Sequence, residues 1–301
     1  MIPKNILVPI DFSDFSDQAL AYALHLAENF QSNLTIMHAI VLFQDDVGEE
    51  ERLQEYEDWI QRREKNIHQQ MIKNQKKGKE KGLQVESVIL RGMNAADVIL
   101  EYLESHTHDL IVMGTHGRTG LKHILLGSIS EKVVRLSPVP VLTIHRSIKD
   151  FKINKILVPI DFSLPSKEAA DQAIHFARFY EASLEFIHVI EQDIHPSFYA
   201  SGIDSIFQID KGLQQRVIEN LHDFLADQLP PNIQTDFLVR EGKSHKEIVD
   251  WAKNHEIDLI VIATHGLSGL DYVLLGSTTE KVVRWATCPV LTVKQQREDL
   301  G

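Results

Sequence analysis

The hydrophobic positions of this 301-residue chain change period again and again. Ile6 to Ile10 is a short apolar run closed by an acid, the pattern of a strand buried on both faces of a parallel sheet. Phe15, Ala19, Leu20, Ala23, Leu26, Ala27 and Phe30 then recur at helical spacing, with Ser13 placed as the N-cap. Leu34 to Val41 predicts a second strand, and Glu49 to about Lys81 a long charged helix. A strand from Val85 to Leu90, a helix from about Ala95 to Ser105 and a strand from Leu110 to Met113 follow. A short helix, Ser128 to Leu136, and a last strand, Val139 to Ile144, close the series. Five strands alternating with four helices predict an α/β domain, an open parallel sheet with helices on both faces.

The series is then written a second time. Asn5-Ile-Leu-Val-Pro-Ile-Asp11-Phe-Ser13 recurs as Lys155-Ile-Leu-Val-Pro-Ile-Asp161-Phe-Ser163, and Thr115-His116-Gly117 as Thr264-His265-Gly266. Leu125-Leu-Gly127-Ser128 recurs as Leu274-Leu-Gly276-Ser277, and Glu131-Lys-Val-Val-Arg135 as Glu280-Lys-Val-Val-Arg284. The offset is 150 residues at the first motif and 149 at the others, so the copies have nearly equal length. Predicted strands of the second copy lie at Ile156–Ile160, Leu184–Ile190, Thr235–Val239, Leu259–Ala263 and Val290–Val293. The expectation is two tandem domains, residues 1–147 and 152–295.

Composition narrows the function classes. The net charge of −12, with both halves acidic, argues against a phosphate-backbone partner, which calls for a basic face. One cysteine, Cys288, excludes a disulfide framework and any multi-cysteine metal site. The start is too short and too soon acidic for a signal peptide, and no apolar run approaches the ~20 residues of a membrane span. The expectation is a cytoplasmic protein with neither nucleic acid nor membrane as partner.

In an open parallel sheet the binding crevice lies beyond the strands' carboxyl ends, where the winding direction switches. Two strand ends carry unusual residues. The first runs into Asp11, and the fourth into Gly114-Thr115-His116-Gly117, then Gly127-Ser128 at a helix start. The spacing is Gly-x2-Gly-x9-Gly-Ser. Glycines let backbone approach a ligand, and a Gly-Ser helix start offers free amides at the positive end of the dipole. Asp11, an acceptor when ionised, suits amino or hydroxyl donors. An acid on one side and an anion nest on the other describe a nucleotide site. Each piece is also ordinary turn and cap chemistry, and duplication alone would carry such turns into both copies.

Val-Pro-Ile-Asp, the Gly-x2-Gly-x9-Gly-Ser loop and the following Glu-Lys-Val-Val-Arg resemble the universal stress protein family, in both halves, as in its tandem members. The resemblance implies five parallel strands per domain in the order 3-2-1-4-5, domains pairing through their last strands and, in one branch of the family, ATP binding. Carried onto this chain, the adenosine end falls on Ile10 and Asp11, with Ala39 and Ile40 lining the base pocket. The phosphates fall on Gly114, Gly117, Gly127, Ser128 and Ser130, with His116 and Arg118 inside the loop. In the second copy Ile160, Asp161, Gly266, Gly276, Ser277 and Thr279 match. Ala263 stands where the first copy has Gly114, and the added methyl makes the first copy the better candidate.

Other signatures point elsewhere or nowhere. Neither Gly-x-Gly-x-x-Gly after the first strand nor Gly-x4-Gly-Lys-[Ser/Thr] occurs. Histidines paired between copies (His25/His175, His38/His188, His106/His255, His116/His265) read as helix- and strand-surface positions rather than metal ligands. Cys288 reads as a buried structural thiol, the Lys73–Lys81 run as a solvated helix end, and Trp59, Trp251 and Trp285 as packing residues. No nucleophile–base pair accompanies the loop. The functional expectation is therefore a stress-response regulator binding ATP, with ADP or AMP as alternatives, and hydrolysing it little or not at all. Asp11 could also hold a Mg2+ ion. The alternatives are a scaffold acting through protein partners and a slow ATPase. The apolar last strands would be sticky as bare edges and are expected to cover one another within the chain; a homodimer of whole chains is the further assembly option.

Overall fold

A computed structural model describes residues 2–41, 50–116, 126–145, 151–191, 204–266 and 275–294, without the side chains of 50–60 and 63. The first half runs β1 (Asn5–Pro9), α1 (Asp14–Phe30), β2 (Asn33–Val41), α2 (Glu50–Lys79), β3 (Val85–Gly92), α3 (Ala95–Ser105), β4 (Leu110–Gly114), α4 (Ser128–Leu136) and β5 (Val141–Ile144). The second runs β6 (Lys155–Pro159), α5 (Leu164–Tyr180), β7 (Ser183–Ile190), the short α6 (Ile206–Ile209), α7 (Leu213–Leu225), β8 (Thr235–Glu241), α8 (Ser244–Asn254), β9 (Leu259–Ala263), α9 (Ser277–Trp285) and β10 (Val290–Val293). Where the first half has the 30-residue α2, the second has the short α6 and the 13-residue α7. β5 begins at Val141 rather than Val139, because Pro140 has no N–H to give the ladder, although its carbonyl accepts from Ile111 N at 3.0 Å.

The ten strands among the described residues form one sheet in the order β3-β2-β1-β4-β5-β10-β9-β6-β7-β8. Each half is parallel and wound 3-2-1-4-5, and the halves meet where β5 pairs antiparallel with β10. The register sets Leu142 opposite Leu291, with Thr143 facing Val290 and Thr292 facing Val141. Thr143 Oγ1 donates to Val290 O at 3.2 Å, and Thr292 Oγ1 to Val141 O at 3.1 Å, a reciprocal pair about a pseudo-twofold. The sticky edges are thus covered by each other.

The two faces of the sheet differ. On the face of α1 and α5 a single core spans both halves and holds Leu20, Leu26, Ala173, Phe176, Leu142 and Leu291. The helices touch there through Phe30, whose ring lies 5.7 Å from Phe176 and 5.8 Å from Tyr180. On the opposite face each half has its own core, under α3 and α4 in the first and under α8 and α9 in the second. α1 and α5 are capped by Ser13 and Ser163, each accepting at 3.3 Å from the amide three residues on. Among the described residues no helix is long and apolar enough to cross a membrane. Trp285 is 41% exposed, so its expected packing role is met only in part, by the ring of His245 at 5.2 Å.

Cys288 is buried in the second core, and desolvation pushes its thiol up to about 12. A maleimide or disulfide reagent at pH 8 should leave native protein unlabelled and react only as the chain unfolds, which mass spectrometry across a urea series would read.

Candidate functional site

β1 delivers Asp11 to a turn that the chain makes in an unusual way. Phe12 follows at φ 62°, a left-handed conformation that costs a bulky residue about 1–2 kcal/mol, and Phe162 repeats it at φ 65°. The turn folds Asp11 back so that Oδ1 accepts from Ser13 N at 3.1 Å and Ser13 Oγ at 2.6 Å; Asp161 does the same with Ser163 at 3.0 and 2.5 Å. A histidine braces each turn. His38 Nδ1 lies 2.7 Å from Ile10 O with its ring 4.8 Å from Phe12, and His188 Nδ1 lies 2.8 Å from Ile160 O with its ring 4.9 Å from Phe162. A carbonyl only accepts, so Nδ1 carries the proton. These histidines were expected on the surface; His38 is instead buried, as its place between Ile36 and Ile40 on one strand face could have signalled.

The glycine loop is arranged differently from its motif. A Cβ on Gly114 would meet Phe15 Cβ and O at 2.9 Å, so this glycine admits α1 against β4 rather than a ligand. Ala263 replaces it where the matching helix residue is Pro165. Gly127 N donates to Thr115 O at 2.8 Å and Gly276 N to Thr264 O at 2.9 Å, so neither amide is offered to an anion. Ser130 Oγ donates to Gly114 O at 2.8 Å and Thr279 Oγ1 to Ala263 O at 2.7 Å. Those hydroxyl protons are committed to tying each helix start to its strand end, which corrects their assignment to the phosphates. What stays on offer is the first turn itself. Gly127 and Gly276 cap α4 and α9 without a side-chain hydrogen bond, whereas Ser13 and Ser163 intercept the amides of α1 and α5. The first-turn acid of α9, Glu280, is paired with Arg284 at 2.7 Å, which limits its opposition to the dipole.

In the second half these parts surround one cavity of about 210 Å³. Its lining includes every expected residue of that half: Ile160, Asp161, Ala263, Gly266, Gly276, Ser277 and Thr279. Asp161 and the loop, expected on opposite sides of a cleft, are neighbours: a Cβ on Gly266 would fall 2.2 Å from Asp161 Oδ2. Glycine there lets backbone lie against the carboxylate. His188, expected as a strand-surface position, also lines the cavity, as do Val189, Ser244 and Ile248, which had not been singled out. Val189 is the counterpart of Ala39, whereas the counterpart of Ile40 is not in the lining. Strand alternation sends Ile40 to the shared core, where it is 1% exposed, so its expected place in the base pocket is corrected. At the rim Glu191 Oε1 accepts from Ser244 N at 2.5 Å, and this bond chiefly holds its carboxyl below the usual range.

In the first half Asp11, His116, Gly127 and Ser128 occupy the matching positions; His116 Nδ1 lies 3.0 Å from Thr115 Oγ1 and its ring 5.1 Å from Phe15. Gly117 and Arg118 lie outside the described residues. Among the described residues no group of three or more His, Cys, Asp or Glu could hold a metal. Among the described residues Asp161 is the lone carboxylate of the cavity lining, so a Mg2+ ion there would need water or phosphate oxygens for most of its ligands.

Comparison with known proteins adds to this geometry. The sequence profile described as the universal stress protein family matches residues 3–145 and again 152–294. A universal stress protein of Bacillus subtilis is 38% identical over 149 residues, 47% of this chain and 99% of that protein. A universal stress protein E homolog of Haemophilus influenzae is 26% identical across 98% of this chain and 99% of its own length. The crystal structure of a universal stress protein from Archaeoglobus fulgidus shares the fold at a TM-score of 0.68 and 22% identity, covering 97% of this chain and 98% of that one.

Gly114→Ala should force α1 from its seat and lower stability by about 1–3 kcal/mol, the usual cost of overpacking, as measured by urea denaturation.

Proposed function

From the premise that this chain belongs to the universal stress protein family, one copy of the family's domain in each half, we propose that it is a nucleotide-binding regulatory protein of the stress response. Each half takes an adenine nucleotide, ATP in the first instance and ADP or AMP as alternatives. The observation that carries this reading is the second-half cavity, where an acid, a glycine loop and an uncapped helix start converge on one space. Ile160, Ile187, Val189, Ile248 and Ile262 give it an apolar wall suited to a base. Asp161 accepts from ribose or amino donors, and the first-turn amides of α9 take phosphate oxygens at the positive end of the helix. The first half is built from the same turn and the same helix start, so it binds by the same means.

Catalysis is weakly provided for. Asp161 already holds Ser163, His188 gives its Nδ1 proton to Ile160 O, and His265 Nδ1 lies 2.9 Å from Thr264 Oγ1. With these groups engaged in the turns, the reading is of nucleotide held rather than turned over.

Protein stripped of nucleotide should give a saturable calorimetric signal with ATP. Asp161→Ala should weaken the second site about tenfold or more, the value of about 1.5–3 kcal/mol for a hydrogen bond to a charged group. The double variant Gly127→Asp/Gly276→Asp, with carboxylates set against both helix starts, should bind none while keeping its circular dichroism. Absence of heat with unsubstituted protein would leave a scaffold for protein partners; phosphate release well above that of Asp11→Ala/Asp161→Ala would make it an ATPase.

A further inference from the structure

Two leucines cross between the halves. Leu126, immediately before the helix start at Gly127, is 6% exposed and belongs to the second half's core. Every other buried residue of that core comes from the second half, among them Val282 and Val283 of α9, Ala286, Cys288 and Val290. Leu275, immediately before Gly276, packs in return against the first half's core, which contains Val133 and Val134 of α4 and Val141 of β5. His145, at the end of β5, adds a hydrogen bond to Val283 O of α9.

We propose that Leu126 and Leu275 are positioning residues for the two anion cradles, so that each half's cradle is set by the other half. Each of α4 and α9 then has two jobs. Its N-terminus receives the anion of its own site, and Val133 and Val134, or Val282 and Val283, in its later turns belong to the core that seats the leucine leading into the other site. Both helices have nine residues, about 13 Å, and move as rods. Close-packed cores transmit such a displacement rather than absorb it. An anion that fixes the start of α9 therefore also fixes Leu275 and, through it, the later turns of α4. The sign is positive: ordering one cradle lessens what the other must still lose, and the effect is equal in both directions. The affinity part of this proposal rests on the nucleotide reading above; the mechanical part does not.

The test uses the full chain carrying Leu275→Ala or the milder Leu275→Met. Without any ligand, hydrogen–deuterium exchange of the hydrogen-bonded α4 amides, Glu131 onward, should quicken several-fold in Leu275→Ala, with α1 unchanged and Leu275→Met near the unsubstituted rate. With the second site blocked by Gly276→Asp, ATP affinity of the first site should fall about threefold to tenfold in Leu275→Ala and recover in Leu275→Met, within the range of couplings carried by packed side chains. Exchange that changes only in α9, or evenly over both halves, overturns the proposal, as does first-site affinity unaltered by Leu275→Ala. Should the unsubstituted protein bind no ATP, the nucleotide reading fails and the exchange result alone decides the coupling.

Discussion

The antiparallel pairing of β5 with β10 is the contact on which the rest of the molecule depends. Two parallel sheets with apolar last strands would each carry an aggregation-prone edge. Joined, they make one ten-stranded sheet, with Leu142 against Leu291 on the pseudo-twofold and threonine hydroxyls satisfied across it on both sides. The seam lets α1 and α5 share a core on one face, and on the opposite face it brings Leu126 and Leu275 each to the other half's core.

Within each half the site is prepared by strain held in place. A phenylalanine in the left-handed region is costly, and it persists in both copies because a histidine–carbonyl bond and a ring contact brace it. The gain is position: the carboxylate after the first strand is turned and tethered by its own chain. The glycines divide the remaining work, Gly114 admitting a helix, Gly266 admitting a carboxylate, and Gly127 and Gly276 leaving a helix start bare.

The duplication, the strand and helix sequence and the pairing of last strands were legible because apolar runs, helical stripes and repeated motifs are local signals. That Asp161, Gly266, Gly276 and Ser277 would come to line one cavity could be anticipated for the same reason, since they are strand-end and helix-start residues of a repeated pattern. Their individual roles could not. A glycine carries no side chain to say which neighbour requires its absence, and a hydroxyl such as that of Ser130 serves a backbone carbonyl or a phosphate equally well. Ile40 was misplaced because adjacent strand residues point to opposite faces. Leu126 and Leu275 stand in the repeated Leu-Leu-Gly-Ser motif, and only the fold shows that the core each enters was built by the other copy.

The direction of the seam has a consequence for how this molecule meets others. Because β5 and β10 run oppositely, the carboxyl ends of the two strand sets point away from each other, and the two candidate sites lie at opposite poles. On the proposed function, a partner gripping one pole would touch only the nucleotide held there. On the coupling proposed above, the state of the far pole would reach that partner only through the packed interior.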